Sequence, residues 1–110
     1  MIDQLQPQRI QQSRRKGADI QRLSREVNGR PARSVVRGSR WGNPFPVKKH
    51  GRAEAIAQFR RLVAVAAPGD GMHPETIRRD LRGFNLACYC ELADACHADV
   101  LLAIANEDRD

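Results

Sequence analysis

Gly83-Phe84-Asn85-Leu86-Ala87-Cys88-Tyr89-Cys90, followed by Glu91 to Ala95 and then Cys96-His97-Ala98-Asp99-Val100-Leu101, is the stretch that decides the fold. Phe84 to Cys90 is a short, nearly continuous apolar run, the pattern of a central strand. Glu91 to Ala95 makes a tight connection, with Asp94 as a candidate cap. His97 to Asn106 has helical spacing, with Val100, Leu101 and Ile104 turned inward.

Upstream, Pro74 to Leu81 predicts a short helix, with Pro74 at its first position and Gly83 at its stop. Ala53 to Ala67 predicts a longer one, through Ile56, Phe59, Leu62/Val63 and Ala66, ended by Pro68-Gly69. Ser34-Val35-Val36 is a strand end. Asp19 caps a helix with Ile20, Leu23 and Val27 on one face, and Asn28-Gly29 stops it. Arg9 to Arg14 is a short strand or an extended arm, and residues 1–8 are expected to fray. The fold class expected is α/β: a single small domain over 9–110, with a short mixed sheet flanked by about three helices.

A chain of 110 residues supports one core. With one Trp, one Tyr and three Phe, that core is aliphatic. Charge is uneven. Residues 1–52 carry thirteen Lys/Arg against three acids, a net of +10; residues 53–110 carry six against ten, a net of −4. A basic half attracts phosphate-bearing partners. No apolar run reaches the ~18 residues of a membrane helix, and the first residues lack the apolar stretch of a signal peptide. The expectation is a cytoplasmic protein with no membrane partner. Three cysteines, two of them only two apart, argue against a disulfide scaffold.

The cysteines are spaced Cys88-x-Cys90-x5-Cys96-His97. Alternate strand residues share a face, so Cys88 and Cys90 point together. Cys96 and His97 fall where the last helix begins, beside the strand's carboxyl end, a common ligand position in α/β units. Three readings stand side by side. In the first, Cys88, Cys90, Cys96 and His97 are metal ligands, with zinc as the candidate cofactor. In the second, Cys96 is a nucleophile at a helix N-terminus and His97 its base, which makes both candidate catalytic residues. In the third, the cysteines pack as small hydrophobes.

A second motif, Arg37-Gly38-Ser39-Arg40-Trp41-Gly42-Asn43-Pro44-Phe45, is an ordered loop by its Gly and Pro content. Arg37 and Arg40 can fork onto phosphate. Trp41 offers a stacking ring or a core anchor. Asn43 can donate and accept at once, as base or ribose recognition requires. Arg37, Arg40, Trp41 and Asn43 are therefore candidate ligand-binding residues. Arg14-Arg15-Lys16 and Lys48-Lys49 are read as solvated faces, and His73 as a helix-cap neighbour.

Arg9-Ile10-Gln11, the basic run ending Lys16-Gly17, the loop Ser39-Arg40-Trp41-Gly42-Asn43-Pro44-Phe45, and Leu81-Arg82-Gly83 through Cys96-His97-Ala98-Asp99-Val100-Leu101 occur together and in order. In this the chain resembles domain-of-unknown-function family 4326, small proteins of bacteria and their phages. The resemblance implies a compact α/β fold and adds Asp99 to the candidate ligand-binding residues. It implies no established activity. The family's usual Trp between the paired cysteines is Tyr89 here, and its Gly-Arg-Pro loop start is Arg37-Gly38-Ser39.

Three functions follow as expectations. The first is a pocket for a nucleotide or nucleotide-derived phosphate compound, formed by the loop and the Cys/His edge, in a sequestering protein or a nucleotide-processing enzyme. The second is a zinc-stabilised nucleic-acid-binding module, which the basic half favours and the scarcity of aromatics opposes. The third is a phage interaction protein acting on a host partner.

Overall fold

All four residues of the strand Asn85–Cys88 (β3) are buried in a computed structural model that describes residues 6–107. β3 is the middle strand of three. Arg9–Gln11 (β1) pairs on one side and Ala32–Ser34 (β2) on the other, both parallel to β3. Ile10 and Ser34 both register with Ala87. The chain lays down the two edges first and inserts the centre last. Between the strands lie the helices Ile20–Asn28 (α1), Val47–His50 (α2), Arg52–Val65 (α3) and Pro74–Leu81 (α4); His97–Ala105 (α5) follows β3.

The α/β class and the compact fold stand as read. The sheet is parallel throughout where a mixed one was expected, and five helices accompany it where about three were expected. Every strand is followed by a helix, and no short hairpin turn joins two of them, so each connection is a crossover. Of the residues expected to fray, 1–5 lie outside the described residues. Gln6 and Gln8 are tied in: Gln8 exchanges hydrogen bonds with Asn85 and Leu86, and the Gln6 carbonyl accepts from Asn28.

β3 alternates its faces. Leu86 and Cys88 join Val35, Phe59, Ile77, Leu81 and Leu101 in the main core under α3, α4 and α5. Ala87 joins Ile10 and Ala32 in a smaller cluster under α1. Asn85 shares that second face. Its amide donates to Ser24 Oγ (2.7 Å) and Asn28 Oδ1 (2.8 Å), and its Oδ1 accepts from Asn28 Nδ2 and Gln8 N, both at 2.9 Å. This network sets the buried face of α1. Ser24 is fully buried, while Leu23 and Val27 stand more than a third exposed. Asp19 caps α1 and Gly29 closes it, as the sequence indicates.

Helix ends place the site residues. Gly51, at φ 79 and ψ 156, occupies backbone space nearly closed to other residues and separates α2 from α3, so Arg52 opens α3. His73 caps α4 through its ring, which accepts from Glu75 N. Cys96, not Asp94, caps α5. Its sulfur accepts from the Asp99 backbone, and Asp99 Oδ2 accepts from Cys96 N at 3.1 Å.

Candidate ligand and metal site

The carboxyl ends of all three strands open onto one cavity of about 220 Å³. Arg14 enters it after β1, Val36, Arg37 and Asn43 after β2, and Tyr89, Cys90, Ala95 and Cys96 after β3. Cys88 and His97 line its depth; Val47, Arg52 and Ile56 supply a helical wall. This is the position where parallel α/β sheets hold ligands. The loop after Val36 and the Cys/His edge therefore face one shared space.

The three sulfurs form a single group, with all Sγ atoms within 4.8 Å of one another. Cys88 and Cys96 are buried, and their sulfurs lie 3.0 Å apart as free thiols. Cys90 is half-buried. Hydrogen bonding between Cys88 and Cys96 splits their titration: it holds Cys88 below the usual thiol value and, helped by burial, lifts Cys96 above it. Soft ligands gathered this closely can hold a metal ion.

His97, the expected fourth ligand, lies beside this group and not within it. Nε2 lies 2.7 Å from the Val35 carbonyl. A carbonyl only accepts, so Nε2 carries a hydrogen, and Nδ1 lies 3.6 Å from Cys96 Sγ. Phe59 meets the ring edge-on at 5.3 Å between centroids. Thiol, ring acceptor and a third group orienting the ring stand in the order of a thiol–imidazole pair, but the Cys88 hydrogen bond and burial hold Cys96 as a thiol, against the expected nucleophile. That third group is the backbone of Val35, which side-chain motifs cannot reveal.

Three guanidinium groups line the cavity and, among the described residues, no carboxylate does. Arg37 donates to the Asn43 carbonyl. Arg52 donates to the Ala95 carbonyl (2.9 Å) and to Cys90 Sγ (3.7 Å), with Asp94 at 3.8 Å. Arg14 stacks on the Tyr89 ring at 3.9 Å. Arg52 and Arg14 are functional candidates that sequence reading missed. Arg14 belongs to a run read as a solvated face. The sequence signal for Arg52 is slight: a cation directly after the glycine that starts a helix.

Asn43 lines the cavity, but its amide is already committed. It is buried, donates to the Ala55 carbonyl (3.1 Å) and accepts from Phe45 N (2.9 Å), which pins the loop to α3. Three other candidates lie outside the cavity lining. Arg40 pairs with Asp80 at 3.0 Å and stacks on Trp41. Trp41 is half-buried against the main core. Asp99 pairs with Arg9 at 3.2 Å besides capping α5. Arg9 itself donates to the carbonyls of Leu92 (2.8 Å) and Asp94 (2.7 Å), and so holds the connection that carries Cys90. Gly42 lets the loop close on itself: a Cβ there would sit 2.6 Å from the Val36 carbonyl oxygen and 2.9 Å from Arg37 Cα.

These features define a small parallel α/β protein with a thiol-lined, cationic cavity at its strand ends. The chain belongs to the domain of unknown function family DUF4326, whose family model matches residues 7–107. No curated protein and no solved structure matches it. Among the described residues, no helix is long and apolar enough to cross a membrane.

Proposed function

We propose that the cavity binds a phosphate-bearing small molecule of the nucleotide class, with zinc held among the cysteine thiolates. The observation that carries this reading is charge: Arg14, Arg37 and Arg52 converge on a cavity whose described lining contains no acid. Guanidinium groups recognise phosphate through paired N–H donors. At about 220 Å³ the cavity is smaller than the roughly 300–1,000 Å³ of pockets that enclose a drug-sized ligand. It suits the phosphate end of such a molecule, leaving the base toward the mouth, where Tyr89 is exposed.

Thermal denaturation against nucleoside mono- and diphosphates and inorganic phosphate tests this. A ligand present at a hundred times its Kd stabilises by about 2.7 kcal/mol. Arg37→Ala and Arg52→Ala remove that stabilisation while the variants stay folded. A sequestering protein returns the nucleotide unchanged, and a nucleotide-processing enzyme returns a product. If no phosphate compound shifts the transition and binding to DNA or RNA falls steeply with salt, the nucleic-acid reading replaces this one.

A further inference from the structure

The geometry points to a three-cysteine metal centre whose fourth coordination position is left open to the cavity, for an oxygen of the bound anion. This deepens the metal half of the reading above and does not depend on the nucleotide half. Three sulfurs within 4.8 Å are the whole group: among the described residues no histidine or carboxylate joins them. His97 donates Nε2–H to the Val35 carbonyl at 2.7 Å and brings Nδ1 to 3.6 Å from Cys96 Sγ alone, outside the group of three. Asp99 is occupied by Arg9 and by the Cys96 backbone.

Tetrahedral zinc bonds of about 2.3 Å place sulfurs about 3.8 Å apart. Cys88 and Cys96, at 3.0 Å, need only spread by a side-chain adjustment. A divalent ion with three thiolates carries one net negative charge. Arg52, donating to Cys90 Sγ, offsets it, and Arg37 and Arg14 leave the cavity able to accept a further anion. A closed structural site has four protein ligands, whereas three ligands and an open position characterise sites that engage a substrate or water. Where nucleobase deaminases hold zinc through three cysteines, the ion works beside a carboxylate general acid. No carboxylate of the described residues lines this cavity, so the open position here serves to hold an anion.

Zinc K-edge absorption of the reduced, zinc-loaded full chain tests the inference. Three sulfurs and one oxygen, without the outer-shell signature of imidazole, are expected, and inorganic phosphate should alter the light-atom shell. Cys90→Ser should lower zinc affinity by about 100-fold or more and Arg52→Gln by about tenfold, the range seen when groups supporting a metal's ligands are lost. Failure to retain zinc, an imidazole signature, four sulfurs, or undiminished affinity in Cys90→Ser overturns it. An open centre in a protein that no nucleotide stabilises would leave this inference standing and remove the nucleotide reading.

Discussion

The two faces of β3 bury polar atoms in opposite ways. Under α1, Asn85 closes a network in which Ser24, Asn28 and the Gln8 backbone all find partners inside the protein. On the other face, Cys88 ends the strand among sulfurs and guanidinium groups that border open space. A closed network holds structure and has nothing left to offer a ligand. The open one sets sulfurs and guanidinium groups, each guanidinium with five N–H donors, at the edge of a space that a ligand can enter, which is what a binding site requires. One strand of four residues thus carries a structural device on one side and the candidate site on the other.

Removing the closed network should produce the largest effect. Asn85→Leu takes a hydrogen-bond partner from the fully buried Ser24 and from the half-buried Asn28 and Gln8 backbone, at about 1–3 kcal/mol for each polar group left short of a partner. A loss of roughly 3–5 kcal/mol in urea denaturation is expected on that basis. A loss below about 1 kcal/mol, no more than an ordinary substitution costs, would show that the network is not closed. Gly42→Ala comes next. Its new methyl meets backbone, not a flexible side chain, so the loop must shift, at about 1–3 kcal/mol. Phosphate affinity should fall with it, because Arg37 and Asn43 ride on the same loop. Unchanged affinity would separate the loop from the cavity.

Titrating the thiols sharpens the open side. In the folded chain Cys88 should react with iodoacetamide through a step below the usual thiol pKa, and Cys96 through a step above it. The stability consequences oppose each other. A thiol with a lowered pKa favours folding above its unfolded value, and that contribution is lost as pH falls through the folded value. One with a raised pKa favours folding below its unfolded value, and that contribution is lost as pH rises through the folded value. Stability should therefore peak near the unfolded thiol value and fall on either side of it, while labelling proceeds in two steps. A single step, as in the unfolded chain, would mean that Cys88 and Cys96 do not share a proton.

Much of this arrangement was legible in the sequence where chemistry is local. Asp19, Gly29 and Pro74 mark helix ends because capping depends on neighbours along the chain. The apolar run through Leu86 and Ala87 marks the central strand. What escaped depends on distant partners. Ile20, Leu23 and Val27 share one face of α1, but Asn85 sets the polarity of the surface beneath, so Ser24 is the residue that is fully buried. The parallel sheet was hidden for the same reason, since strand direction is set by which edges meet. At the site, the sulfur cluster was readable from spacing. Arg52 was not, because Cys90 lies 38 positions away in sequence.

Arg40→Ala should have the smallest effect, and it separates the two arginines of the loop. Arg37 faces the cavity, whereas Arg40 points the other way, to Asp80 and over Trp41. Its side chain is half exposed, and Asp80 keeps a second partner in Arg79 at 2.9 Å, so losing Arg40 strands no charge. Exposed ion pairs contribute little because water already solvates both groups. Melting temperature and phosphate affinity should both stay at the parent values in calorimetry, while Arg37→Ala in the same experiment loses the ligand. If Arg40→Ala abolished binding instead, the site would extend across the loop toward α4, and the cavity at the strand ends would be only part of it.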